Sequence, residues 1–224
     1  MLELPKRVRQ QEGIDLNAEH AIPLFPTDEI PRILDMVLRH ADRLRKKHET
    51  EREDVISDRL FKLLRKDKML RAAPFVPVRE HQIFDNNTQE GHSGRIDINF
   101  ICLPGDETYF AIEAKRLHVD FPSGWKSLAR EYVAGEQGMM CFITGKYSRF
   151  QRSVAMLGYV FDGDVNKART GIAASVRKNA VALRLAPPHQ LQRSKVVSSD
   201  RVDETRHFFG SRQFTIYHLL VSIL

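Results

Sequence analysis

Two short apolar runs separated by a turn-forming tetrad constrain the fold of this chain most strongly. Residues 94–103 and 108–117 each alternate apolar with polar side chains and are rich in residues that favour strands. Between them, residues 104–107 are Pro-Gly-Asp-Glu, a composition typical of turns. Two such runs joined by a short loop predict a β-hairpin.

Charged side chains stand at one end of this predicted hairpin. Asp97 lies in the first run, and Glu113 and Lys115 lie in the second. Neighbouring antiparallel strands are only about 5 Å apart, so Asp97 and Glu113 can converge, while residues 113 and 115 share a face by parity. Charge on an inner strand is costly unless it is paired or holds a metal. The pattern therefore predicts a functional site; the alternative is a surface aspartate and an ordinary Glu–Lys pair at a strand edge.

The composition indicates a soluble protein with a hydrophobic core. Of the 224 residues, 42% are hydrophobic, which suits one domain with an appended N-terminal part. No apolar run approaches the roughly 20 residues of a membrane span, so no membrane association is expected. The start of the chain lacks an apolar signal core, which predicts a cytoplasmic protein. Cys102 and Cys141 lie in apolar segments and are expected to be reduced thiols.

Hydrophobic periodicity predicts helices and strands in a mixed order. Helices are predicted at residues 29–47, 51–66, 125–135 and 165–179, and strands at 75–84, 94–103, 108–117, 154–161 and 205–209. Residues 139–143 fit either a helical turn or a strand, and 214–224 fit a closing strand or a helix. The order predicts an α/β (α+β) fold with a mixed central β-sheet flanked by helices.

Asp97, fifteen intervening residues and then Glu113-Ala114-Lys115 resemble the motif of the PD-(D/E)XK nuclease superfamily. Members of this superfamily have the restriction-endonuclease-like fold, and the resemblance places that fold at residues 49–224. Residues 1–48 would then form an N-terminal arm and a helix. The proline that usually precedes the family aspartate is Ile96 here.

The superfamily often has a further glutamate on the helix before the motif strands. Glu53 matches that position best, and Glu49, Glu51 and Asp58 remain alternatives. Arg116 follows Lys115 and points to the opposite face by parity, where it is expected to pair with an acid.

The resemblance implies phosphodiester hydrolysis assisted by Mg²⁺ or Mn²⁺. Asp97, Glu113, Glu53 and the backbone carbonyl of Ala114 would be the metal ligands, because these ions prefer hard oxygen donors. Lys115 would orient or deprotonate the attacking water, or stabilise the charged phosphate.

A net charge of +6 and a pI near 9.4 favour a polyanionic partner, and DNA is the expected substrate. Basic side chains that follow the motif are candidate phosphate contacts, although a solvated basic face explains each of them equally well. These candidates are Lys126, Arg130, Lys146, Arg149 and Arg152.

The leading hypothesis is a metal-dependent endonuclease. Residues 132–160 are similar to stretches of restriction-like nucleases from prokaryotic defence loci, which suggests a role in anti-phage defence. Two alternatives remain: an effector subunit that a partner protein activates, and a nucleic-acid-binding module that does not cut. Non-cutting relatives usually lack one motif residue, whereas this chain keeps all three. A homodimer is also plausible, with residues 30–47 as the candidate interface.

Overall fold

The computed structural model describes residues 24–84, 92–103, 108–147, 151–209 and 212–224. Five α-helices, a short 3₁₀ helix and nine strands lie within these ranges. In chain order they are α1 (Ile30–Ala41), α2 (Glu53–Leu64), the 3₁₀ helix (Lys68–Ala72), β1 (Phe75–Phe84), β2 (His92–Cys102), β3 (Tyr109–Leu117), β4 (Val119–Phe121), β5 (Gly124–Lys126), α3 (Ala129–Ala134), α4 (Met140–Ile143), β6 (Ser153–Val160), α5 (Val165–Lys178), β7 (Gln192–Arg193), β8 (Val202–Phe209) and β9 (Arg212–Ser222).

Seven of the strands form one mixed sheet in the order β1-β2-β3-β6-β9-β8-β7. The central strands β3, β6 and β9 are parallel, and the outer pairs are antiparallel. The remaining two strands, β4 and β5, form a separate hairpin directly after β3. The predicted α/β class with a mixed sheet flanked by helices is confirmed.

Two apolar clusters cover the two faces of the sheet. On one face, α1 and α2 pack against alternate strand residues such as Phe110 and Leu157. On the other face, α3, α4 and α5 pack against the intervening residues, such as Ala111 and Met156. This division follows from the period of two in a strand, which sends successive side chains to opposite faces. The central strands are therefore buried on both sides.

The predicted hairpin is present as β2 and β3; its turn, residues 104–107, lies outside the described residues. Pairing between the two strands ends at Ile98 and Ile112, whereas β3 continues along β6 as far as Leu117. The two strands therefore part at the level of Asp97 and Glu113. This divergence opens the sheet at the point where the motif residues lie.

The predicted helix at residues 125–135 is wrong in its first part. Gly124–Lys126 is strand β5, and the helix begins only at Ala129. Leu128 has φ 55°, in the left-handed region, which a right-handed helix cannot include. The two ambiguous segments resolve as a short helix at Met140–Ile143 and as a strand at Arg212–Ser222.

Helix α1 shares its apolar cluster with α2 and the sheet. Its stripe of apolar residues, including Ile33, Leu34 and Val37, is fully buried within the chain. That stripe is therefore not free to form the predicted dimer interface, and the division of the chain at residue 48 stays a prediction. In the described part of the chain, no helix has the length and apolar character needed to cross a membrane.

Candidate functional site

Asp97, Glu113 and Lys115 come together where β2 and β3 part. The Lys115 Nζ donates to Glu113 Oε1 at 2.7 Å and to the carbonyl oxygen of Ala114 at 2.9 Å. Asp97 Oδ2 accepts the backbone N–H of Ala114 at 2.9 Å. The Asp97 carboxylate thus accepts the backbone hydrogen bond that β2 no longer accepts from β3 at this point. All three side chains are largely buried, with exposures of 16%, 5% and 12%.

Arg79 holds the other side of Asp97. Its Nη1 donates to the Asp97 carbonyl oxygen at 2.6 Å and to Oδ1 at 3.2 Å, and its Nη2 donates to the Asp54 carbonyl oxygen at 2.9 Å. Strand β1 and helix α2 are thereby tied to the aspartate. Sequence reasoning missed Arg79, because one arginine in an outer strand carries no motif.

Burial dominates the acidity of the site. Burial raises the pKa of Asp97 above its ordinary value. Burial, with the negative charge of Asp97 adding to it, raises the pKa of Glu113 to about 8. For Lys115, burial alone disfavours the ammonium form, but the charges of Glu113 and Asp97 outweigh it and raise the pKa. Lys115 is therefore an ammonium group at neutral pH.

Glu53, the first residue of α2, is the helix acid that reaches the site. Its Oε2 forms an ion pair with the Nε of Arg116 at 2.8 Å, which confirms that Arg116 pairs with an acid. The alternatives are engaged elsewhere: Glu51 accepts from Arg59, while Glu49 and Asp58 form exposed ion pairs on the surface. Of these four described acids, Glu53 is the one that lines the cleft.

The motif residues line an open cleft of about 520 Å³. Its walls are almost entirely polar and carry both signs of charge. The basic residues are Arg52, Arg95, Lys115, Arg116 and Lys146, and the acidic residues are Glu53, Asp54, Asp97 and Glu113; Gln137 and Tyr147 complete the lining. Several of these bases already contact acids, for example Arg52 with Asp54 at 2.8 Å. The cleft thus carries basic and acidic side chains in nearly equal numbers.

No family model, no curated protein and no solved structure matches this chain. The chemistry of the cleft therefore follows from its own residues, above all from the two buried carboxyl groups and the ammonium group of Lys115.

The predicted phosphate contacts fall in different places. Lys146 lines the cleft, whereas Arg152 lines a separate pocket at the start of β6. Arg149 lies outside the described residues. Arg130 is exposed on α3, and Lys126 lies in β5 rather than in a helix. Neither Arg130 nor Lys126 lines the cleft.

The hairpin β4–β5 borders the cleft through Arg116. The ring of Phe121 lies between two cations, with the Lys126 Nζ 5.4 Å and the Arg116 Cζ 5.7 Å from its centre. Arg116 itself lines the cleft, so Lys126 is separated from the cleft by the ring of Phe121 and by Arg116. Cation–π contacts of this kind hold basic groups in place without neutralising their charge.

Arg95 was a basic cleft residue that sequence reasoning missed but could have found. It precedes Asp97 by two residues on β2, so the two side chains share a face by strand parity. Its Nη1 lies 3.1 Å from Glu80, and more than half of the side chain is exposed. Arg52 and Gln137 could not be found this way, because they reach the cleft only through the tertiary fold.

Two acids and a carbonyl group at the site fit a hard divalent cation. Among the described residues, no group of three or more His, Cys, Asp or Glu side chains is clustered closely enough to be a metal site by itself. However, Glu113 Oε2 is buried without a hydrogen-bond partner, and an unsatisfied buried carboxylate oxygen requires an explanation. Mg²⁺ commonly uses only one or two carboxylates and completes its coordination with water and phosphate oxygens.

Proposed function

We propose that this chain is a divalent-metal-dependent phosphodiesterase of restriction-endonuclease-like fold that cleaves DNA. One observation carries the proposal. Asp97, Glu113 and Lys115 meet, buried, at the floor of an open polar cleft where two strands part. Buried ionisable groups are expensive to maintain, and stability alone gives little reason to keep three of them together.

Asp97 and Glu113 would hold the cation, with the Ala114 carbonyl oxygen and Glu53 as further oxygen donors. When bound, Mg²⁺ or Mn²⁺ supplies positive charge at the phosphate and lowers the pKa of bound water. The chain itself keeps Asp97 oriented, through Arg79 on one side and the Ala114 N–H on the other. Orientation by such outer contacts is a general requirement of metal ligands.

Lys115 would act as a fixed positive charge rather than as a base. Its raised pKa keeps it protonated, so it donates hydrogen bonds and accepts none. In the free protein those hydrogen bonds go to Glu113 and the Ala114 carbonyl. With substrate present, the same donors would stabilise the negative charge that develops on the phosphate oxygens.

The basic walls of the cleft would contact the phosphates on either side of the cleaved bond. Arg52, Arg95, Arg116 and Lys146 line it, and phosphate contacts position a nucleic acid without reading its sequence. Because Arg52, Arg95 and Arg116 already pair with acids, a polyanion gains little from the cleft until a cation takes the carboxylates. Substrate binding should therefore depend on the metal.

Cleavage of supercoiled plasmid tests this proposal. The wild-type chain is incubated with Mg²⁺, Mn²⁺ or EDTA and compared with Lys115→Ala. A matched control is Lys62→Ala, which removes a mostly exposed lysine that pairs with Asp58 on α2. We expect metal-dependent nicking by the wild type and by the control, and at least a hundredfold loss in Lys115→Ala, as for loss of a transition-state contact.

Nicking that persists in EDTA, or that survives Lys115→Ala unchanged, would contradict the proposal. A folded protein that cuts under no metal would instead favour the partner-activated subunit or the non-cutting module. Addition of single-stranded DNA and RNA substrates to the same assay determines which nucleic acid is cut.

A further inference from the structure

A second concave surface lies at the other end of the sheet, where β6 and β9 begin. It encloses about 610 Å³ and is covered on one side by the start of α1. Arg206 on β8 pairs with Thr215 on β9, and Thr215 pairs with Ser153 on β6. Directly paired residues share a face about 5 Å apart, so these three side chains form a row across three strands.

Hydrogen-bond donors dominate this pocket. The row of Arg206, Thr215 and Ser153 is flanked by Arg152, and Arg212, Gln213, Tyr217 and Thr27 supply further donors. Arg152 is exposed, and its side chain makes no hydrogen bond or ion pair with the described part of the chain. A guanidinium group without a partner beside two hydroxyl groups is a ready anion contact.

Glu204, the one carboxylate among the described residues that line the pocket, already accepts hydrogen bonds at both oxygens. Its Oε1 accepts from the Nε and Nη2 of Arg206 at 3.0 and 2.8 Å, and Oε2 accepts from Ser194 Oγ at 2.7 Å. Three arginines and one glutamate give the described lining a net charge of +2. The pocket therefore offers mainly donors and positive charge.

The pocket is separate from the catalytic cleft. Lys115 pairs with Gly158 on β6, five residues beyond Ser153, which corresponds to about 17 Å along a strand. The cleft and the pocket also share no lining residue.

We propose that this pocket binds a terminal phosphate group, carried by a free nucleotide or by the end of a nucleic-acid strand. A phosphate monoester carries close to two negative charges at neutral pH and three acceptor oxygens, which matches the net charge and the donors of the pocket. Arginine forks bind such oxygens in pairs. The volume is in the range of small-molecule sites, about 300–1,000 Å³. The proposal does not depend on nuclease activity.

Isothermal titration calorimetry on the full chain tests the site. The probes are AMP and a short oligonucleotide with a 5′-phosphate, each compared with its unphosphorylated counterpart, in low salt with EDTA. The variants are Arg152→Gln and Thr215→Val, which leave the Arg206–Glu204 pair intact. Arg177→Gln is the matched control, because it removes an exposed arginine on α5 that lines neither the pocket nor the cleft.

We expect one binding event for a phosphorylated probe and none for its unphosphorylated counterpart. The affinity should be weakened at least tenfold by Arg152→Gln and unchanged by Arg177→Gln. AMP binding alone identifies a nucleotide site, and binding of the oligonucleotide alone identifies a strand-end site. Unchanged affinity in both pocket variants would overturn the proposal, as would an equal loss in Arg177→Gln. Circular dichroism melting confirms that each variant is folded; if Arg152→Gln unfolds, Thr215→Val decides.

Discussion

Asp97 illustrates how single residues build the candidate site. Its carboxylate bonds to the Ala114 N–H on one side and to Arg79 on the other. Arg79 also bonds to the Asp54 carbonyl oxygen, so one guanidinium group ties the aspartate to helix α2. Arg79 would make no contact with the phosphodiester bond that is cleaved, and its contribution is to keep the Asp97 carboxylate in one orientation.

Replacement of Arg79 tests this positioning. Arg79→Gln should lower the cleavage rate at least tenfold, and it should lower the free energy of unfolding by about 1–3 kcal/mol because buried acceptors lose their donor. Urea unfolding and the plasmid assay measure the two effects. Arg95→Gln is the control for stability, with an expected change within about 0.5 kcal/mol for an exposed residue. Wild-type cleavage by Arg79→Gln would show that Asp97 needs no such support.

The motif residues could be predicted from the sequence, but the residues that hold them in place could not. Strand parity places Glu113 and Lys115 on one face, and hairpin pairing brings Asp97 to them; both rules are local. Arg79 and Arg52 could not be predicted, since they reach the site through the packing of β1 and α2 against the hairpin. Such contacts depend on the tertiary fold and leave no pattern in the chain.

At the scale of elements, a buried polar chain joins α3, β9 and β8. It runs from Tyr132 through His218, Thr205 and His207 to the carbonyl oxygen of Leu183, with bonds of 2.7–3.1 Å. A carbonyl oxygen only accepts, so His207 carries its proton on Nδ1 and accepts from Thr205 at Nε2. Thr205 then accepts from His218 Nε2, and His218 Nδ1 accepts from Tyr132. Every bond of this buried chain is made when both histidines are neutral; the single Tyr132 hydroxyl proton then goes to His218 rather than to the Met156 carbonyl oxygen 3.3 Å away.

The two histidines of this buried polar chain should lower the free energy of unfolding in mild acid. Burial lowers the pKa of His207 to about 4 and that of His218 to about 3. In the unfolded chain both titrate near 6.5, so only the unfolded state gains protons between about pH 6.5 and 4. The stability is therefore present above pH 6.5 and is lost as the pH falls. The two groups together should remove roughly 3–4 kcal/mol between pH 7 and pH 5.

Urea unfolding at several pH values measures the net change, which the raised pKa of Glu113 opposes because the folded state binds that proton more tightly. The difference between the wild type and His218→Gln isolates the part due to His218, which should be about half of the histidine loss. Proton NMR of the imidazole groups provides a check that needs no variant, because both buried rings should stay neutral at pH 5. Titration of both rings near pH 6.5 in the folded protein would contradict the account.

Elements with strong periodicity were predicted well, and the hairpin after β3 was not. The strand predicted at 154–161 is β6, and α5 begins at residue 165 as predicted, where Asp164 accepts from the Lys167 N–H at 2.9 Å. Residues 125–128 have helical spacing, but Leu128 and His118 both adopt left-handed backbone angles at the base of β4–β5. Such angles are uncommon outside glycine, and spacing does not reveal them.

At the scale of the whole molecule, α1 packs into the same apolar cluster as α2 and the sheet. Leu34 is fully buried in the cluster that also holds α2 and the sheet. Leu34→Ala should lower the free energy of unfolding by about 2–5 kcal/mol in one cooperative transition. Asp35→Ala, at a mostly exposed neighbouring side chain, is the control. A second, separate unfolding step in Leu34→Ala would instead support an independent N-terminal unit.

The proposed mechanism requires that two buried carboxylates share one divalent cation. Calorimetric titration with Mn²⁺ tests it most directly, with Asp97→Asn and Glu113→Gln compared with Asp58→Asn, which changes an exposed acid on α2. We expect one Mn²⁺ site in the wild type and in Asp58→Asn. The Mn²⁺ affinity should be at least tenfold weaker in each motif variant, because a first-row cation loses a charged oxygen ligand. Unchanged Mn²⁺ affinity in both motif variants would contradict it.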